Sequence, residues 1–316
     1  MTIGRFAARR AGIAVAQIGM LLALVFVLSL WLPGDAADVQ VGDFTSAEQR
    51  DETRHLLGLD VAPLERFVSW CTHAATGDFG MSFTQGRPVT EVIAESFATS
   101  AVLAVVTTLL LLPVAGGAGF LAGLNPDTLW DRTVTTVSIA FDSIPDFVLA
   151  IVLVSYVAVE AGLFPPTFAG MSVADVVAAP AVLVLPLFVM TCRVAAPLVR
   201  LVRAGVIDEM SAPYIVQARH LGVPRRSLLL RHVAPNALGP AMQDLGRTSD
   251  SLLSGVLVVE AVFVVPGVAT TLIDAIGNRD QPVVLAIVLL TGLVTIAVNA
   301  AIDVLGHRMV PRQVRT

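Results

Sequence analysis

The sequence predicts an all-α membrane protein, because it is too hydrophobic and too poor in charge for a soluble domain. Of its 316 residues, 55% are hydrophobic and 14% are charged, whereas soluble domains carry about 25% charged residues. Several apolar runs of about 20 residues are long enough to cross the roughly 30 Å hydrocarbon layer as helices. The runs show no strand-like alternation, so helices must satisfy the backbone polar groups in the membrane.

Hydropathy divides the chain into six predicted transmembrane helices. Their approximate bounds are residues 11–32, 98–123, 134–159, 178–199, 241–265 and 283–304. Arginines precede the first one, as in a signal peptide, but no small-residue cleavage site follows closely and its length suits a retained helix. With both termini inside, thirteen arginines lie in the inner segments and five in the outer ones. The positive-inside rule therefore predicts that both termini are cytoplasmic.

The predicted organisation has three parts. Residues 1–96 form the first transmembrane helix and an acidic extracytoplasmic loop, residues 97–306 a membrane core with a cytoplasmic loop at 200–240, and residues 307–316 a basic cytoplasmic tail. Within the acidic loop, Ser46 is a candidate N-cap for a surface helix that ends at Gly58. The loop either covers the helix bundle or docks an external partner, and the sequence leaves both alternatives open.

The composition excludes several kinds of chemistry. All twenty basic residues are arginine, so the chain has neither the Walker A lysine that binds nucleotide phosphates nor a Schiff-base lysine. The five histidines show no metal-ligand spacing, so no metal site is predicted, and the H-E-x-x-H and G-x-S-x-G motifs do not occur. These absences disfavour an intramembrane enzyme. A gradient-driven secondary transporter stays as an alternative, although no inverted repeat is visible.

Two patterns inside the apolar segments predict helix packing and helix bends. Ala115, Gly119 and Gly123 are four residues apart and share one helix face, where small side chains let a neighbouring helix approach closely. Prolines in the predicted membrane helices indicate kinks. They are Pro113, Pro145, Pro186 and Pro197.

The segment YIVQARHLGVPRRSLLLRHVAPNALGP, residues 214–240, is a polar and basic interruption in this hydrophobic chain. It predicts two short helices, because Gly222 suits the left-handed position after one helix and Pro224 suits the start of the next. The segment is a solvated loop, a DNA-binding helix-turn-helix, or a short helix that docks on a cytosolic partner. The nearby membrane helices leave no room for the domain that DNA binding requires. Docking on a partner also accounts for the missing nucleotide-binding lysine.

This segment resembles the cytoplasmic loop of permease subunits from binding-protein-dependent ABC importers of the dipeptide and oligopeptide permease family. The matching residues are Tyr214, Ala218, Arg219, Gly222, His232, Asn236, Ala237 and Pro240. Further similarities are GDFGMS at 77–82, SIPDF at 143–147, GVLVVEAVFVVPG at 255–267, NRDQPVV at 278–284 and NAAIDVL at 299–305. Each is weak alone, but their order along the chain is specific.

The resemblance implies a type I ABC importer permease fold in the bacterial inner membrane. The chain would form half of a pathway with a second, homologous permease subunit. Two cytosolic ATPase subunits would bind ATP and Mg²⁺, and an external solute-binding protein would deliver the solute, so this chain has no cofactor and is not an enzyme. The family carries peptides, glutathione, nickel chelates or sugars, and its breadth favours peptides. The residues implied in ATPase coupling are Tyr214, Ala218, Arg219, Gly222, Arg225, Arg226, Arg231, His232 and Asn236.

Charged residues in the apolar segments are the remaining candidates, since an unpaired ion in lipid is costly and usually faces the interior or a partner. Asp244, Arg247 and Asp250 are three residues apart, so one helix face can hold a neutral triad. The triad is either a structural ion cluster or part of the pathway lining. The same two alternatives apply to Asp142, Asp146 and Arg193.

Overall fold

The structure, a computed structural model, is all-helical, as the sequence predicts. It describes residues 3–41, 46–169, 171, 178–247 and 249–309, with side chains for 12–41, 46–169, 171, 178–241 and 256–300. Within these ranges, the one strand-like feature is an isolated antiparallel bridge between Met81 and Pro88.

The chain divides into two compact units. The first comprises residues 1–99 and 266–297, and the second comprises residues 100–265 and 298–316. In chain order, the α-helices of the described residues are α1 (Ile3–Trp31), α2 (Ala36–Val41), α3 (Ala47–Leu56), α4 (Pro63–Ala74), α5 (Val89–Leu111), α6 (Ala118–Leu124), α7 (Leu129–Ser143), α8 (Asp146–Val152), α9 (Val184–Ser211), α10 (Pro213–His220), α11 (Arg225–Leu228), α12 (Ala234–Arg247), α13 (Ser249–Phe263), α14 (Val268–Gly277) and α15 (Gln281–Met309).

The number of membrane-spanning helices agrees with the sequence prediction. Four helical segments are long and apolar enough to cross a membrane, and they are Gly12–Trp31, Val89–Leu124, Pro180–Ser211 and Gln281–Ala300. Two bent helix pairs raise the number to six if each pair is one span. Those pairs are Leu129–Ser143 with Asp146–Glu160, and Val256–Phe263 with Val268–Gly277.

The bounds of the predicted second, third, fourth and fifth helices differ from the structure. The second, predicted to begin at residue 98, begins at Val89. The third, predicted as one helix over 134–159, breaks between α7 and α8, which form an angle of 100°. The cause is Pro145, because the residue before a proline avoids the helical region, and Ile144 is extended with φ −90° and ψ 123°. The cytoplasmic loop predicted at 200–240 is largely helical, since α9 continues to Ser211 and α12 begins at Ala234.

Helix α9 is the centre of the second unit. It packs against α6, α7, α8, α12 and α13. Its buried side chains include Val194, Leu198, Val202 and Val206, which belong to an apolar cluster with residues of the 212–241 segment. The other apolar cluster of this unit contains the first turns of α9 and part of α13. One helix therefore contributes to both apolar clusters of the second unit.

The small residues predicted to pack against a neighbouring helix do so against α9. Ala115 is buried. A methyl group on Gly119 would lie 2.6 Å from the carbonyl oxygen of Val199, and one on Gly123 would lie 2.6 Å from the Cβ of Val206. Contacts this short exclude any side chain larger than hydrogen unless a helix moves. The packing role predicted for these residues is therefore confirmed.

In the first unit, a buried carboxylate joins two of the sequence motifs. Asp280, from the NRDQPVV segment, is only 1% exposed. It accepts hydrogen bonds from the hydroxyls of Ser82 and Thr84 and from the backbone N–H groups of Phe83 and Thr84, with N···O distances of 3.1 and 3.2 Å. Ser82 ends the GDFGMS segment. These four bonds connect the acidic loop to the start of α15.

The acidic loop contains the predicted surface helix. The hydroxyl of Ser46 accepts the backbone N–H of Gln49 at 3.4 Å, and α3 ends two residues before Gly58, whose φ is +65°. Arg54 on α3 binds Asp35 at 2.7 Å and Asp38 at 3.1 Å, which ties α3 to α2. Burial raises the pKa of Asp35, but hydrogen bonds from Arg54 and from the Asp38 backbone outweigh it, so the net pKa is lowered.

The close approach of α6 to α9 predicts that Gly123→Ala is destabilising. The added methyl group would lie 2.7 Å from the carbonyl oxygen of Arg203 as well as against Val206, and we expect a loss of about 1–3 kcal/mol in the free energy of unfolding. The measurement is a denaturant titration of the purified protein in detergent. Gly117→Ala is the matched control, because nothing lies within 4 Å of its added methyl group. Equal losses in the two variants would contradict the prediction.

Candidate functional site

The 212–236 segment forms the two short helices that the sequence predicts. Helix α9 ends at Ser211, the extended backbone of Ala212 has ψ 136°, and Pro213 starts α10. After the turn at Gly222, α11 begins at Arg225, directly behind Pro224. A π-helical turn, Leu229–Val233, then leads into α12. Two short helices, α10 and α11, with a turn between them therefore connect α9 to α12.

The turn depends on a glycine for its conformation. Gly222 has φ +78°, in the left-handed region that residues with a side chain rarely adopt. The N–H of Gly222 donates to the carbonyl of Arg219 and that of Val223 to the carbonyl of Ala218, both at 3.1 Å. These bonds satisfy the last carbonyls of α10. A methyl group on Gly222 would meet nothing within 4 Å, so backbone conformation, and not space, requires the glycine.

One side of the segment is buried against α9. Ile215, Leu228, Val233 and Ala237 are buried and share an apolar cluster with α9 residues, and Ala218 packs against the same cluster. A methyl group on Gly205 of α9 would lie 2.9 Å from the carbonyl oxygen of Ala237. The backbones of α9 and α12 are therefore almost in contact at this point. The segment is held on α9 as one packed body.

The exposed residues of the segment include both apolar and basic side chains. Leu221 is 75% exposed and Leu230 61%, and Val216 is also exposed. The exposed arginines are Arg219, Arg225, Arg226 and Arg231, and within the described ranges none of them forms an ion pair. We name this surface the basic–apolar face and define it as Val216, Arg219, Leu221, Arg225, Arg226, Leu230 and Arg231. Four cations without a carboxylate partner are free to bind an acidic surface.

Three of the predicted coupling residues bind each other. The amide of Asn236 donates to the hydroxyl of Tyr214 and to Glu209, both at 2.9 Å. The rings of Tyr214 and His232 meet edge to face with their centroids 6.5 Å apart. Glu209, at the end of α9, was not identified from the sequence, where the one available signal is an acidic residue in a basic segment. These contacts link α9, α10 and α12 through polar groups.

Three arginines of α9 bind three aspartates on α7 and α8. Arg193 binds Asp146 at 3.2 Å, and Arg200 binds Asp142 at 2.6 Å. Arg203 forms two hydrogen bonds with Asp131, one from Nε and one from Nη2, and the second is 2.7 Å long. The candidates Asp142, Asp146 and Arg193 are thus paired, but not all with one another.

The third pair is the most enclosed. Asp131 is 2% exposed and also accepts the backbone N–H of Asp127 at 2.9 Å. The sequence pointed to Arg200 and Arg203 only through the positive-inside rule, and Asp131 was not identified as a candidate site residue. Their spacing was a usable signal, because residues seven and ten positions after Arg193 lie on nearly the same helix face.

The remaining charged candidates lie at the junction of α12 and α13. Asp244 and Arg247 belong to α12 and Asp250 to α13, but their side chains lie outside the described residues. The predicted ion triad therefore stays a prediction. Within the described ranges, no group of three His, Cys, Asp or Glu side chains could hold a metal ion.

Comparisons with known proteins cover both ends of the chain and the whole 212–236 segment. Residues 115–315 match the family described as binding-protein-dependent transport system inner membrane component, and residues 3–104 match the N-terminal region of such membrane components. The chain is 32% identical over 282 residues to the glutathione transport system permease protein GsiC of Escherichia coli strain K12, which covers 89% of this chain and 90% of the relative. The protein of the same name from Shigella dysenteriae serotype 1 gives the same values.

The different burial of the ion pairs predicts different costs of removing them. Arg203→Ala leaves Asp131 without its cation, and because Arg203 is itself 27% exposed and water can reach the vacated position, we expect a loss of about 1–3 kcal/mol in the free energy of unfolding. Arg200→Ala should cost at most about 1 kcal/mol, because side chains of the Arg200–Asp142 pair are 34% and 40% exposed. The measurement is the same denaturant titration. The Arg203→Ala/Asp131→Ala double variant should lose less than the sum of the single variants, and strict additivity would show that the pair is not coupled.

Proposed function

Because the chain belongs to the family of binding-protein-dependent transport system inner membrane components, and is therefore a permease subunit of an ABC importer in the bacterial inner membrane, we propose that its 212–236 segment couples it to a cytosolic ATPase. The observation that carries this proposal is the basic–apolar face, which is exposed on a segment whose other side is buried on α9. An exposed leucine surrounded by cations suits a protein groove with an acidic rim.

The packing of the segment supports a mechanical role. Closure of the ATPase dimer displaces the segment, and the buried contacts at Ile215, Leu228 and Ala237 pass that displacement to α9. Since α9 is part of the membrane span Pro180–Ser211, the movement reaches the pathway as a rigid-body rotation. The predicted coupling residues then divide into two groups. The arginines contact the ATPase, whereas the others hold the segment in shape, and these are Tyr214, Ala218, Gly222, His232 and Asn236.

The family implies an ATPase and a solute-binding protein as partners. We further propose the assembly that the sequence resemblance implies, with a second permease subunit and two ATPase subunits that bind ATP and Mg²⁺. The chain contains no lysine, which fits nucleotide binding by the partner. In this assembly the chain makes or breaks no bond. Family membership favours this ATP-driven importer over a gradient-driven carrier.

A pathway role for the six charged candidates stays a prediction. They are Asp142, Asp146, Arg193, Asp244, Arg247 and Asp250. Asp142, Asp146 and Arg193 form ion pairs that support a structural role as well as a pathway role. These pairs join α9 to the helices on both sides of the break at Pro145. A paired charge can still line a pathway when its partner moves in the transport cycle.

We propose a short peptide of the glutathione type as the transported solute. Support comes from the relatives, which are named glutathione transport system permeases and match nearly the whole chain.

The coupling proposal predicts that Leu221→Asp separates the permease from its ATPase. Leu221 is 75% exposed, so the substitution leaves the fold intact while it places a charge in the proposed interface. We expect the ATPase to be lost when the tagged permease is purified in mild detergent. The matched control is Leu64→Asp, which changes a leucine that is 74% exposed in the segment predicted to lie outside, and the ATPase should remain bound. Retention of the ATPase by Leu221→Asp would reject this surface as the coupling site.

The solute proposal predicts ATP-dependent uptake of labelled glutathione by cells that express the whole importer and lack other glutathione and peptide importers. Uptake should be absent with the Leu221→Asp subunit and normal with Leu64→Asp. Unlabelled short peptides should compete, whereas a nickel chelate or a sugar should not. Importer-dependent uptake of a nickel chelate or a sugar, with none of glutathione, would refute the proposed solute and leave the coupling proposal standing.

A further inference from the structure

The first unit contains a largely apolar cavity of about 370 Å³ beside two membrane helices. Val25, Leu28 and Leu32 of the α1 region form one wall, and Ile276 and Val284 contribute to another. The volume falls in the range of about 300–1,000 Å³ typical of small-molecule sites. The cavity lies where α1 ends and α15 begins. With the N-terminus inside, this is the outer boundary of the membrane.

Two arginines line the same cavity. They are Arg66 of α4 and Arg279, which precedes α15. The Nε atoms of both are buried and have no hydrogen-bond partner within the described residues. The Nη1 and Nη2 atoms of Arg279 donate to the backbone carbonyls of Ile276 at 2.8 Å and Pro33 at 3.3 Å, so that guanidinium is fixed in place. Burial lowers the pKa of Arg66, although the charge of Asp35 opposes that shift.

Negative charge at the cavity is scarce. Asp35 is the one carboxylate in its lining, and it already binds Arg54 at 2.7 Å and accepts the backbone N–H of Asp38 at 3.0 Å. Neither Arg66 nor Arg279 forms an ion pair with a described residue. A buried guanidinium Nε without a hydrogen-bond acceptor is costly, so the cavity favours a ligand that brings a negative charge together with apolar surface.

We propose that this cavity binds an anionic membrane phospholipid, with the headgroup phosphate at Arg66 and Arg279 and part of an acyl chain along α1 and α15. Arginine is the side chain whose donors best fit phosphate oxygens. The apolar wall on two membrane helices selects a lipid over a soluble phosphate. A bound lipid would fill the space between α1, the acidic loop and the start of α15, and would hold these elements together.

Native mass spectrometry of the assembled importer tests the proposal. The complex is delipidated in mild detergent and titrated with phosphatidylglycerol or with phosphatidylcholine. We expect tight retention of phosphatidylglycerol, weaker retention of the zwitterionic phosphatidylcholine, and a roughly tenfold or greater loss of phosphatidylglycerol affinity in Arg66→Gln/Arg279→Gln. The control is Arg87→Gln, because Arg87 binds Glu95 at 2.8 Å and does not line the cavity. Its affinity should match the wild type.

Two further measurements separate the headgroup from the acyl chain. Leu28→Trp fills the apolar wall and leaves both arginines in place, so it should also weaken phosphatidylglycerol binding, and inorganic phosphate should not compete at millimolar concentration. Equal retention by the double variant and Arg87→Gln, equal affinity for the two lipids, or displacement by inorganic phosphate would each overturn the proposal. If the double variant does not assemble, Arg66→Lys/Arg279→Lys retains the charge and must still prefer phosphatidylglycerol.

Discussion

The second unit depends on the close approach of two helix backbones. Gly119 and Gly123 bring α6 against the carbonyl groups of α9 at distances that no side chain could accept. Gly205 of α9 repeats this arrangement with α12, next to Ala237. Lipid offers no hydrophobic gain for helix association, so small residues and the dispersion contacts that they permit must supply it. With α9 fixed on both sides by glycine contacts, the positions of its arginines and of the segment that follows it are fixed as well.

The three arginines of α9 are all paired, and their partners lie on two consecutive helices. Arg193, Arg200 and Arg203 each meet an aspartate of α7 or α8. These two short helices are joined at the 100° bend before Pro145, where the extended backbone of Ile144 interrupts the helical hydrogen bonds. Two of the three ion pairs lie on either side of the bend. The arginines of α9 thus stabilise a break that proline alone would only permit.

The sequence predicts local features of the chain. It does not predict which residues far apart in the sequence contact one another. The helix face of Ala115, the left-handed turn at Gly222 and the N-cap at Ser46 follow from spacing and residue type. The bond from Ser82 to Asp280 joins residues 198 positions apart, and no periodicity shows which hydroxyl such a carboxylate will bind. The extension of α9 to Ser211 was missed for another reason. Hydropathy falls after residue 199, where charged residues become frequent, although the helix continues to Ser211.

In the proposed coupling, force passes through that extension. Because α9 is one continuous helix within the candidate membrane span Pro180–Ser211, the bond from Asn236 to Glu209 attaches the segment with the basic–apolar face to that same helix. A flexible loop would absorb a displacement, whereas a helix that begins in the span and ends at the contact transmits it. The break before Pro145 lies on α9's partner helices and not between the contact surface and the span. The 100° bend is therefore on helices that α9 binds, whereas α9 itself is one continuous helix from Val184 to Ser211.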